Sequence, residues 1–115
     1  MFVASVVIVQ GIGELRRALS TGGRAVLLSP PGFALTAGCG FWRALIALGH
    51  NEFPGQIEAD ILDCASAPGH AMAALRAGCK HIVMAPASPA FPAVSSAAAG
   101  IGAVVLPERP FAVDF

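Results

Sequence analysis

The chain has 115 residues, enough for one domain with a small interior, and seven basic against seven acidic side chains give it a formal net charge of zero. With no basic run longer than Arg16-Arg17, nucleic-acid binding through a basic face is disfavoured and no nucleic-acid partner is expected. Hydrophobic residues make up 56% of the chain and charged ones only 12%, well below the usual charged fraction, so apolar surface is left over and a homo-oligomer, most simply a dimer, is expected.

The first apolar run predicts a strand over 3–9. It has no basic leader and runs straight into Gln10-Gly11, which argues against a secretory signal. A helical pattern over 12–20 follows, closed by Gly22-Gly23. Gly11-Ile12-Gly13-Glu14-Leu15-Arg16 is similar to the opening of a dinucleotide fingerprint, but Arg16 stands where close packing needs a small residue. The next acid after Glu14 is Glu52, too far along to hold a ribose, so no dinucleotide or other cofactor is expected.

A second strand over 24–29 breaks at Ser29-Pro30. The helix predicted over 37–48 is apolar almost all round, since Phe41, Trp42, Leu45, Ile46 and Leu48 leave Arg43 as its polar residue. A surface helix keeps one wet face, so Phe41, Trp42 and Leu45 are the expected subunit interface. Gly49 should end this helix, and the insertion from His50 to Gln56 carries the turn pair Pro54-Gly55.

The third strand, over 60–64, contains Asp63 in an otherwise apolar run. Ser66-Ala67-Pro68 then opens a helix over 69–77 that Gly78 closes; a fourth strand covers 81–85, a helix 90–99 and a fifth strand 103–107. No charge occurs from Ile82 to Pro107, but Pro86, Pro89, Pro92, Gly100 and Gly102 interrupt that stretch, so no membrane-spanning helix and no membrane partner is expected.

These elements make one α/β domain over 1–115, with about five mostly parallel strands alternating with four helices. The strand runs are apolar rather than alternating, so both sheet faces should be covered. Right-handed crossovers point every strand the same way. Two arrangements fit, an open flavodoxin-like sheet, which is the preferred one, or a half-barrel-like array.

Ligands of such sheets gather beyond the strand C-termini, where helix N-termini offer free N–H groups. That edge collects Ser29, Gly32, Ser66, Gly69, Ser88 and Arg109 as candidate ligand-binding residues, with Gln10 and Glu108 beside them, and a phosphate or carboxylate is the natural guest. The same Ser-Pro and Pro-Gly pairs also serve any capped helix start.

Asp63 and His70 are the candidate acid–base groups, and Cys39, flanked by Gly38 and Gly40 at a helix start, is the candidate nucleophile. Against these stand a structural carboxylate tying down the Ser66–Gly69 loop and a cysteine buried as a small hydrophobe. Asp63 and Cys64 are strand neighbours on opposite faces, so with His70 they make no metal site. Three cysteines without CxxC spacing read as free thiols of a reducing, cytoplasmic compartment.

The segment Ala74-Leu75-Arg76-Ala77-Gly78-Cys79-Lys80-His81-Ile82-Val83-Met84-Ala85-Pro86, with Val104-Val105-Leu106-Pro107 after it, resembles two (β/α) units of the class I aldolases that act on 2-keto-3-deoxy sugar acids. The resemblance covers residues 74–107 and implies architecture alone. The Schiff-base lysine of that family stands on a barrel strand, whereas Lys80 stands before one. The function expected from the residues is binding of a small anionic metabolite at the strand C-terminal edge, with or without turnover. The alternative is a non-catalytic assembly or regulatory module that docks through the Phe41-Trp42 helix.

Overall fold

A computed structural model describes residues 2–113. In chain order its elements are β1 (Ser5–Ile8), α1 (Ile12–Leu19), β2 (Ala25–Leu28), α2 (Phe33–Thr36), α3 (Cys39–Glu52), β3 (Ile57–Asp63), α4 (Pro68–Arg76), β4 (His81–Val83), α5 (Phe91–Gly100) and β5 (Val104–Leu106). The strands form one open parallel sheet in the order β1-β2-β3-β4-β5.

Because each strand lies beside its neighbour in sequence, every crossover steps the same way, and right-handed crossovers then place all the helices on one face. The packing agrees. Val7, Leu27, Leu62, Ile82 and Ala103 point to the helices and share one core with Leu15, Leu19, Trp42, Ile46, Leu75 and Val94. Alternate residues of the same strands, Val6, Val26, Leu28, Ile61 and Val83, form a second cluster with no helix in it. The sheet is open, but its helices lie on one face, as in the half-barrel-like array, and not on both, as the preferred flavodoxin-like arrangement requires.

The chain's two ends cover the helix-free inner face. Phe2 and Ala4 pack against it from the N-terminal segment and Ala112 from the segment after β5, beside Leu106 of β5 itself. The N-terminal segment is fastened by the Glu58 carboxylate, which accepts the N–H groups of Val3 (2.8 Å) and Ala4 (3.0 Å). After β5 the chain crosses back to β1 as a strap, where Val113 bridges Val7 in parallel and its N–H donates to the Val6 carbonyl at 2.9 Å.

Several boundaries move from where the sequence puts them. α3 runs through Gly49 to Glu52, so the first part of the expected insertion is helix. Gly49 is buried there, and a Cβ on it would lie 2.8 Å from Ile57 Cδ1 and 3.0 Å from Leu15 Cδ1. It is a packing glycine that lets α3 approach α1 and β3, not a helix stop. β3 begins at Ile57 rather than residue 60, because a bulge between its Ile57 and Ala59 pairings hides the strand's period. The four-residue α2 was not expected.

The interface expectation changes most. Trp42 is fully buried and Leu45 is 4% exposed, both on the inward side of α3. The Trp42 indole N–H donates to Asp60 Oδ1 at 3.2 Å, and its ring meets Phe33 edge-on. Phe41 faces outward, with Ala44 and Leu48 one and two turns further along. No helix among the described residues is long and apolar enough to cross a membrane.

All three cysteines are free thiols. Burial pushes Cys64 up to about 12 and Cys79 up to about 11. Since the thiolate is the reactive form, both should resist a thiol-alkylating reagent at mildly alkaline pH until denaturant is added. Mass spectrometry of the labelled native protein checks this, and rapid modification of Cys64 or Cys79 in the folded state would contradict the buried placement.

Candidate functional site

The C-terminal rim of the sheet is organised by three side chains from widely separated parts of the chain. Ser29 closes β2, Asp63 closes β3, and Arg109 comes from the strap. Their approach follows from pairing: Leu28 stands opposite Ile61 in the ladder, so the residues just beyond emerge side by side.

Ser29 is fully buried, and its Oγ accepts the Asp63 N–H at 2.9 Å while donating to the Pro30 carbonyl at 3.1 Å. The Asp63 carboxylate is satisfied at both oxygens. Oδ1 accepts the Ala65 N–H at 2.8 Å and Oδ2 accepts Arg109 Nη1 at 2.8 Å. That same Nη1 donates to the Ser29 carbonyl at 2.9 Å. Asp63 is 4% exposed, and a side chain so buried needs donors, which here are a guanidinium and a turn N–H.

The turn after β3 is shaped by this carboxylate. Ala65 has φ 51°, the left-handed region that disfavours residues with a Cβ, and it is held there from both sides. Its N–H goes to Asp63, and its carbonyl accepts the Ala85 N–H at 2.8 Å. Gly32, at φ 64°, sits against it, the two Cβ positions being 4.0 Å apart. Ala65→Gly should stabilise the fold by about 0.5–1 kcal/mol, the left-handed strain relieved less the added freedom of the unfolded chain. Denaturant unfolding tests this, and a destabilised variant would mean that the methyl contact outweighs the strain.

The turn leads into α4, whose N-cap is Ala67 and whose first turn holds no acidic residue and no side-chain cap. Its amide donors are left to solvent beside exposed Ser66, Gly69 and His70. By contrast, Glu14 in the first turn of α1 accepts the Gln10 N–H at 3.1 Å. Asp63, Ser29 and Arg109 thus meet directly; Gly32 and Ser66 lie in the loops around them, and Gly69 and His70 in the first turn of α4.

The remaining candidates stand differently. Ser88 is half-buried in the β4–α5 loop, where its N–H donates to the Ala85 carbonyl and its own carbonyl accepts from Phe91. Cys39, the first residue of α3, packs in part against the helix-side core, and His70 stands in the first turn of α4. Each Asp63 oxygen already accepts one hydrogen bond. Among the described residues no group of three His, Cys, Asp or Glu side chains is placed to hold a metal ion.

Sequence reasoning missed a second polar cluster beneath α3. Asp60 Oδ1 accepts both Trp42 Nε1 and Arg43 Nη1, the latter at 3.0 Å. The signal was present in part: an indole N–H on an apolar helix needs an acceptor, and Asp60 lies three residues before Asp63.

Compared with known proteins, the chain matches no family model, no curated protein and no solved structure.

Proposed function

We propose that this domain binds a small oxyanion, a phosphate or a carboxylate, at the C-terminal rim of its sheet, with Arg109 as the receptor. The observation that carries the reading is the way Arg109 is held. Among the described residues both of its hydrogen bonds leave from Nη1, and the edge formed by Nε and Nη2 is the one we assign to a ligand. Its side chain is 25% exposed. A guanidinium fixed at one end and open along its other edge offers two parallel donors to an oxyanion.

The uncapped N-terminus of α4, which starts five residues after Asp63, adds amide donors and a positive partial charge to the same rim. Asp63 is a positioning residue in this reading, and no bond-breaking step belongs to it. Lys80, the chain's one lysine, precedes β4 at the opposite rim, so aldol chemistry through a lysine has no support here.

The test is thermal stability against phosphates, keto acids and nucleotides. A ligand at about 100 times its dissociation constant stabilises by about 2.7 kcal/mol. A shift with one anion class that disappears in Arg109→Lys, which keeps the charge and loses the two-donor edge, is the expected result. Equal shifts in wild type and Arg109→Lys would sink the assignment.

A second reading, a dimeric assembly module of the cytoplasm, draws on the outward stripe of α3, where Phe41 and Leu48 are each 48% exposed, and on the free thiols. No shift with any anion, together with a dimer in sedimentation that Phe41→Glu dissolves, would favour it.

A further inference from the structure

The opposite rim of the sheet has a separate cleft. β3 pairs with β2 from Ile57 onward, but β4 joins it only at Leu62, so the first half of β3 has an open edge facing the residues that lead into β4. The bulge near Glu58 falls in this half, and Glu58, Ala59 and Asp60 are all partly exposed in succession where a regular strand would alternate. Bulges re-aim side chains in this manner. The result is an open cleft of about 190 Å3 walled by His50, Glu58, Asp60, Lys80 and His81.

The charges in this cleft are sorted by wall. β3 contributes the two acids. The Glu58 carboxylate is held below the ordinary carboxylate range, chiefly by the N–H groups of Val3 and Ala4. Asp60 accepts its two hydrogen bonds on Oδ1, and Oδ2 accepts none among the described residues.

The facing side carries its positive charge on Lys80. Lys80 is exposed, and its ammonium has one long bond of 3.4 Å, to the Ile101 carbonyl. His81 beside it is fixed edge-on to Phe2, with ring centres 5.3 Å apart, and burial lowers its pKa, so its imidazole is neutral near neutral pH. His50 reaches the cleft from the last turn of α3.

A cleft with the Glu58 and Asp60 carboxylates on one side and the Lys80 ammonium on the other suits neither a simple anion nor a simple cation, because each would meet a group of its own sign, even with Arg43 paired to Asp60 Oδ1. We infer that this cleft binds a small zwitterion of the α-amino acid class, its carboxylate on Lys80 and its ammonium on Asp60 Oδ2. The volume is below that of drug-sized pockets and matches a small metabolite, with Ile57 and Ala59 as the apolar lining for a short side chain. The site shares no residue with the Arg109 rim and stands or falls independently of it.

The experiment is a titration of the full chain, followed by amide NMR at fixed pH and ionic strength, with glycine, L-alanine, L-serine and L-threonine as probes. At least one should shift the signals of Glu58–Asp60 and Lys80–His81 saturably, with a dissociation constant of about 1 mM or tighter. Acetate and methylammonium, the two half-ligands, should fail to saturate over the same range. Lys80→Gln, an exposed substitution that leaves the core intact, should weaken binding about tenfold, and Arg109→Lys should leave it unchanged. The inference is overturned if none of the four amino acids saturates by about 10 mM. It is equally overturned if acetate binds as well as they do, or if Lys80→Gln binds as tightly as wild type.

Discussion

Trp42→Ala should cost about 3–5 kcal/mol of folding stability, the largest loss expected from any single truncation in this chain. Trp42 heads the fully buried side chains and sits between α3 and β3 on the helix side of the sheet. Deleting it leaves a cavity in a body of 115 residues that has little interior to redistribute. It also removes an indole donor from Asp60, leaving Arg43 as that carboxylate's hydrogen-bond partner.

For a domain of this size such a loss lowers Tm by on the order of 10–20 °C, which calorimetry reads directly. Trp42→Phe separates the two contributions, since it keeps most of the volume and loses the hydrogen bond; about 1–2 kcal/mol is expected for it. An alanine variant within about 1 kcal/mol of wild type would show that α3 is not anchored through this ring.

Asp63→Ala comes next, at about 3 kcal/mol, because removing one member of a buried ion pair strands the other. The Arg109 guanidinium would lose its anionic partner and the Ala65 N–H its acceptor, in a turn already held at positive φ. Arg109→Ala should cost less, about 2 kcal/mol, since that side chain is partly hydrated. A double-mutant cycle from denaturant unfolding decides whether the pair acts as a unit. A coupling energy of about 1 kcal/mol or more is expected, and additivity to within about 0.5 kcal/mol would reduce the contact to coincidence.

What was legible in the sequence follows from local physics. Apolar runs ending in Ser or Pro, and glycines of left-handed conformation such as Gly22 and Gly78, mark elements because each acts within a few residues. Asp63 stood out for the same reason, as a charge inside an apolar run, and its structural role as a tie for the following turn was one of the two readings open to it.

What was not legible depends on partners distant in the chain. Gly49 looks like a helix stop until Leu15 and Ile57 are seen against it. Trp42 looks like an interface residue until Asp60 is found to accept its N–H. The meeting of Arg109 with Ser29 spans 80 residues, and no spacing rule reaches that far. Whether helices lie on one face or two depends on strand order, which a string of similar apolar runs leaves undetermined.

Strand order also sets how the chain folds. Each strand adds beside the one made just before it, so the ladder can grow from contacts of modest sequence separation, while the strap that brings Val113 to β1 joins the first strand to the last stretch of the chain. Closing so long a loop before the ladder exists is entropically costly, whereas the formed ladder shortens it, so the strap is expected to dock late, after the rate-limiting barrier. Losing the Arg109 clasp should then leave the refolding rate nearly unchanged and appear almost entirely as faster unfolding. In kinetic terms the strap is what keeps the assembled array from coming apart.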